Sequence, residues 1–234
     1  MAELARIFTG GDEDTVCLMD PTYLRETEER LLVFAVYDEF SGKAIPLWWV
    51  YQEWETLRRN PPLSANLLVE RAVRKLRELL GHTFILVADR EFPSQRFRAK
   101  LMKAGIGYVI RLRENSSPPA EGEHGITYQE KEHKEPWNLV SRKEANPVKA
   151  YKKRMRIEHL FRDLKGLFGM REVLRRIRDP VVRKGLITLI MLAWLLAFLR
   201  GLYALVKGLL SQDDPLVREF LRGYISINLG DLTR

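Results

Sequence analysis

The chain has 234 residues and is 46% hydrophobic, enough for a packed core in one domain or two small ones, and this composition excludes a disordered chain. A net charge of +8 and an isoelectric point near 9.6 point to a polyanionic partner, either nucleic acid or an acidic membrane surface. The single cysteine, Cys17, excludes an internal disulfide framework and cysteine-based zinc clusters, and its apolar neighbours predict a buried thiol.

The opening residues, MAELARIFTGGDED, hold no apolar stretch of the length a cleavable signal needs, which predicts a cytosolic setting. TVCLMD (15–20) reads as a short buried strand ending in Asp20. ERLLVFAVYDEF and AIPLWWVYQ read as two strands joined at a turn around Gly42. NPPLS (60–64) is a breaker before a helix over 65–81, which has apolar residues three and four apart and Gly81 as its stop. HTFILVAD (82–89) is a second buried strand ending in Asp89. A helix over 93–105 and a strand over 106–113 follow. The alternation of strand and helix from about 45 to 113 implies parallel pairing with right-handed crossovers.

From Glu114 to Ala145 the chain is polar and turn-rich, with one short apolar strand in PWNLVS. It reads as a small insertion, and the predicted division is 1–113, 114–147 and 148–234. Helices resume at Pro147, with breaks near Gly166–Gly169, at Asp179-Pro180 and at Gln212–Pro215. One of them, 185–206, is apolar without interruption only from Leu186 to Leu199. That run falls short of the ~20 residues a bilayer requires, so a buried core helix is predicted and no membrane partner.

The helix YKKRMRIEHLFRDLK (151–165) carries an unusual pattern. At 100° per residue, Tyr151, Arg154, Glu158 and Lys165 fall within a stripe about 60° wide that flanks the apolar face formed by Ile157, Leu160, Phe161 and Leu164. Glu158 then stands at the edge of the core, where a carboxylate needs a partner. Residues 148–178 contain eleven Lys or Arg against three acids, a basic stripe of the kind that follows a phosphate backbone. Taken alone, Arg154–Glu158 and Glu158–Arg162 are ordinary i, i+4 pairs.

Asp20 and Asp89 shift that balance. Acids that close buried strands lie over the rim of a sheet, where open α/β folds place their sites. If the two strands are neighbours, their carboxylates converge, and a Glu from a packed helix can complete the set. Three oxygen donors with no His or Cys nearby suit Mg²⁺ or Mn²⁺, and two such ions support in-line phosphoryl displacement. The four histidines, His82, His124, His133 and His159, share no metal-ligand spacing.

The spacing Y-x2-R-x3-E-x6-K at Tyr151, Arg154, Glu158 and Lys165 resembles the Tyr-Arg-Glu-Lys signature of DDE transposases from bacterial insertion sequences. FILVADREF resembles the segment carrying that family's second catalytic Asp, VCLMDPTYL the segment carrying the first, and PWNLVS the strand before the signature helix. The resemblance runs from about 15 to about 205. It implies an α/β, RNase H-like mixed sheet flanked by helices: three antiparallel strands first, then two parallel ones, with a small insertion before the last catalytic helix. It implies metal-dependent cleavage and strand transfer of DNA, with Asp20, Asp89 and Glu158 holding two Mg²⁺ or Mn²⁺ ions. It assigns Tyr151, Arg154 and Lys165 to the phosphates of the transposon end, with Lys152 and Arg162 on the same basic helix as further DNA contacts. Trp137 matches a position on which related enzymes stack a flipped base, although a Trp before an apolar strand is as often core. The implied partners are DNA ends and target DNA bound by a homodimer, in the cytoplasm at the nucleoid. Three departures stand out. The insertion between Asp89 and Glu158 is shorter than in the best-known members of the family. Glu91 occupies a position that is usually Gly, and Asp20 lies so near the start that the family's N-terminal end-recognition domain has no room before it. A catalytic core alone, a remnant that binds DNA without chemistry, and a related nuclease that only cuts are therefore distinct expectations.

Overall fold

The computed structural model describes residues 15–24, 29–39, 41–53, 61–92, 94–129, 135–144 and 146–207. Among these residues seven strands form one mixed sheet: β1 (Val16–Leu24), β2 (Glu29–Asp38), β3 (Lys43–Glu53), β4 (Ile85–Ala88), β5 (Gly107–Arg111), β6 (His124–Tyr128) and β7 (Trp137–Arg142). Their order is β3-β2-β1-β4-β5-β7-β6. The first three strands pair antiparallel, β4 lies parallel to β1, and β5 lies parallel to β4. The helices are α1 (Pro61–Leu80), α2 (Gln95–Lys103), α3 (Pro147–Lys165), α4 (Met170–Arg175) and α5 (Pro180–Lys207). This is the mixed, helix-flanked α/β sheet of an RNase H-like fold.

The core follows from the sequence pattern. Residues 16–19 of β1, 31–36 of β2 and the whole of β4 are apolar runs buried on both faces, as strands covered on both sides must be. Cys17 is fully buried among them, and burial pushes its thiol far above its ordinary value, which leaves it inert. Gly42 makes the β2–β3 turn at φ +64, a conformation that a side chain would resist. Pro46 is tolerated because β3 is an edge strand and its ladder shifts register opposite Phe34/Ala35.

α3 sets the geometry of everything below. Asn146 caps it by accepting from the Lys149 amide at 3.0 Å, and Pro147 sits in the first turn, where it has no intrahelical bond to lose. Its buried stripe, Ile157, Leu160, Phe161 and Leu164, packs on the sheet and reaches strands from β3 to β7. A second buried device pins the segment after β5. Arg98 on α2 is fully buried and donates Nε to Glu123 at 3.0 Å; Tyr108 donates to the same carboxylate, which also accepts from the Ala120 amide. The Arg98 guanidinium reaches the Ser117 and Pro118 carbonyls as well, so the charge is fully satisfied.

The structure departs from the sequence reading in four places. β1 does not stop at Asp20 but continues through Pro21 to Leu24. α1 starts at Pro61, inside the predicted breaker, because Pro fits a first helical turn. The segment after Glu114 holds two strands rather than one, and both extend the main sheet beyond β5. The apolar helix α5 is buried along one stripe only, Ile187, Met191, Trp194, Leu195 and Phe198. Leu189, Leu192 and Leu196 are exposed. By length and composition, its residues from Pro180 to Gly201 could cross a membrane. Among the described residues, those from Gly185 to Lys207 belong to a compact unit separate from the one before them. The predicted break at Gln212–Pro215 lies outside the described residues.

Candidate active site

β1 and β4 run parallel, and their last paired residues are Met19 and Ala88. One step further along each chain stand Asp20 and Asp89. Register alone therefore puts the two acids side by side at the rim where β4 ends. Asp20 is held there from the other side by its pairing with Val33 of β2.

α3 lays Tyr151, Arg154 and Glu158 over this rim. The Tyr151 hydroxyl donates to Asp89 Oδ1 at 2.8 Å. Arg154 donates Nη1 to Asp20 Oδ2 and Nη2 to Glu158 Oε1, each at 2.9 Å. Its guanidinium also lies 5.4 Å from the Tyr151 ring centroid. Asp20, Asp89 and Glu158, from two strands and a helix, are thus gathered around one arginine and one phenol. Tyr151 is 1% exposed and Arg154 6%, whereas the Glu158 side chain is 43% exposed and stands at the mouth of the site. Arg154 Nε is buried with no hydrogen-bond partner.

The charges do not balance. Burial, with Asp89, Glu158 and Glu91 nearby, pushes the Asp20 carboxyl up to about 7 even though Arg154 opposes the shift. Burial alone would lower Arg154, but Asp20, Tyr151, Asp89 and Glu158 together raise it well above its usual range. Burial is the first cause of the Asp20 shift and the neighbouring acids add to it; the same acids are what raise Arg154. Asp89 behaves differently. Burial raises it, but the Arg154 charge, the Arg90 amide and the Tyr151 hydroxyl outweigh burial and leave it below the usual carboxylate range. Tyr151 is raised far out of reach of ionisation by burial and Asp89.

Among the described residues no three His, Cys, Asp or Glu side chains form a ready metal cage. The donor set nonetheless fits a hard divalent cation. It is all carboxylate, it carries excess negative charge, and a cationic guanidinium already stands between two of its members.

The remaining candidate residues are distributed as follows. Lys165 donates to the Tyr23 carbonyl at 3.3 Å, so the basic face of α3 continues along the end of β1. Lys152 lies over the Tyr128 ring, 5.3 Å from its centroid, and is exposed, as is Arg162. Trp137 is 5% exposed, edge-on to Tyr151 at 5.0 Å and tilted against Tyr128 at 5.7 Å. It supports the phenol that holds Asp89. Glu91 turns aside from the three acids: Arg30 pairs with it at 2.8 Å and Tyr23 donates to it at 3.2 Å.

Sequence reasoning passed over one group. Arg90, Arg111 and Arg113 line a cleft of about 1080 Å³ that opens at Asp89. Their signal was present in RLR at the end of β5: the strand-end argument that selected the acids applies equally to bases.

A family model described as "Transposase DDE domain" matches residues 66–196. That span contains Asp89 and Glu158, while Asp20 lies before it and enters the site through the β1–β4 register. No curated protein matches the chain.

Proposed function

This chain belongs to the transposase DDE domain family, and on that premise we propose that it cleaves and joins DNA phosphodiesters using Asp20, Asp89 and Glu158. The observation that carries this reading is the convergence of those three carboxylates at one rim of the sheet, Asp20 and Glu158 bonded to Arg154 and Asp89 to Tyr151. The three would hold two divalent ions, Mg²⁺ or Mn²⁺, whose chemistry is Lewis-acid stabilisation of the attacking and leaving oxygens.

The chain's own residues prepare the site. Tyr151 fixes one Asp89 oxygen and, after the Arg154 charge and the Arg90 amide, helps keep that carboxylate ionised. Arg154 aims Asp20 and Glu158 at a common point and supplies positive charge while they are otherwise unneutralised. With its carboxylates engaged elsewhere, its two-pronged guanidinium suits a DNA phosphate. Lys165, Lys152 and Arg162 extend that basic face for the transposon end. In this reading 1–113 and 148–234 form the catalytic core, 114–147 is an insertion that widens its sheet, and two copies act together on paired DNA ends in the cytoplasm.

The test is Glu158→Gln assayed on DNA with Mn²⁺. Loss of cleavage with DNA binding retained supports the reading; unchanged cleavage contradicts it. A second reading has its own observation. Arg154 already pairs with two of the three acids, as it would in a remnant that binds DNA without chemistry. In that case Glu158→Gln leaves DNA affinity unchanged or raised, and the wild type shows no metal-dependent cleavage to lose.

A further inference from the structure

The cleft that opens at Asp89 has a polarity the acid site does not explain. Arg111 is the last residue of β5 and its side chain is only 15% exposed, held by the sheet. Arg113 follows two residues on, and its Nε donates to the Arg90 carbonyl at 2.9 Å, which fixes both residues. Arg90 is the residue after Asp89. Three guanidinium groups thus line one path leading away from the carboxylates. At about 1080 Å³ the path is large and open for a small-molecule pocket.

Glu135 lies across this path. Its Oε2 accepts from Arg90 Nη1 at 3.1 Å and from Arg111 Nη2 at 3.4 Å. One oxygen shared by two guanidinium groups is an arrangement that phosphate also adopts. The Glu135 side chain is 66% exposed, so water screens the pairs and a stronger anion can replace them.

We infer that Arg90, Arg111 and Arg113 form a phosphate-binding track leading one DNA strand away from Asp89, and that the Glu135 carboxylate occupies its first phosphate position until DNA displaces it. This rests on the DNA-cleaving reading above. The alternative role for Glu135 is structural, pinning the start of β7 to the end of β5.

The experiment measures binding of a fluorescein-labelled oligonucleotide, single-stranded and duplex, to the full chain over a salt series. Glu135→Gln should tighten binding about two- to fivefold at low salt, the range expected from one exposed charge. Arg111→Gln should weaken binding and make its salt dependence shallower by about one unit of slope. Combining the two should abolish most of the Glu135→Gln gain, because the competitor has lost its subsite. Glu78→Gln, an exposed acid paired to Lys75 on α1, controls for net charge and should give no comparable gain. A Glu135→Gln gain no larger than this control, or a lower melting temperature with unchanged binding, overturns the track. A wild type that binds no DNA at low salt overturns the functional reading, and the track with it. Binding in the wild type with no response to Glu135→Gln overturns the track alone.

Discussion

Arg154 donates to Asp20 at 2.9 Å across 134 residues of sequence. That bond fastens the centre of α3 to β1 and brings Glu158 in behind it. Arg154→Ala would leave a buried Asp20 beside two other acids without its cation. The expected loss is about 3 kcal/mol of unfolding free energy, measured by urea denaturation at neutral pH. Arg154→Lys should recover only part of it, because an ammonium cannot span both carboxylates with a planar fork. Equal stability of the alanine variant and wild type would contradict the geometry.

Asp20 makes stability depend on pH in an unusual direction. Its carboxyl moves from an ordinary 3.8 to about 7 on folding, driven first by burial. Between those values the folded chain holds a proton that the unfolded chain releases. The associated stabilisation is complete below about pH 4 and is lost as pH rises through about 7. The full swing is of order 4 kcal/mol. Wild type compared with Asp20→Asn should therefore lose relative stability from pH 4 to pH 8. A difference that stays flat, or grows with pH, would contradict the buried, acid-crowded setting of Asp20.

The Tyr151 hydroxyl is committed to Asp89 at 2.8 Å. Tyr151→Phe should lower Mn²⁺-dependent cleavage more than DNA affinity, and should raise the Asp89 carboxyl towards its ordinary value. Cleavage rate against pH, with binding measured in parallel, separates this positioning role from a direct phosphate contact. A fall in affinity with the cleavage profile unmoved would place the hydroxyl on DNA instead.

Glu123 neutralises Arg98 where neither side chain reaches solvent. Glu123→Ala leaves a buried guanidinium without its anion, and about 3–5 kcal/mol should be lost in thermal or urea unfolding. Tyr108→Phe, which removes one hydroxyl from the same carboxylate, should cost about 1 kcal/mol.

What could be read from the sequence, and what could not, follows physical lines. β2 and β4 were legible as continuous apolar runs, and α3 because its apolar residues recur at helical spacing. Asp20 and Asp89 were legible as a pair only because both close apolar runs; the parallel register that joins them is a property of the sheet. The extension of β1 through Pro21 was hidden because Pro reads as a stop. β1 has there outrun β4 and pairs with β2 alone, so one side of the strand has no ladder for the missing amide to break. β6 was hidden because its residues are nearly all exposed and carry no apolar alternation. The exposed face of α5 could not be seen either, since a continuous apolar run says nothing of which sides are covered. Tyr151 and Arg154 were found by their spacing, but their attachment to carboxylates needed three elements folded together.

The three carboxylates, two joined by Arg154 and the third held by Tyr151, are proposed to bind divalent metal. The direct measurement is a crystal of the full chain soaked in Mn²⁺, with the ions located by anomalous scattering. The account predicts Mn²⁺ bound by Asp20, Asp89 and Glu158, with Arg154 moved off at least one of its two partners. No Mn²⁺ at these carboxylates, with Arg154 still joining Asp20 to Glu158, would contradict it and leave the basic helix as a DNA-binding face without chemistry.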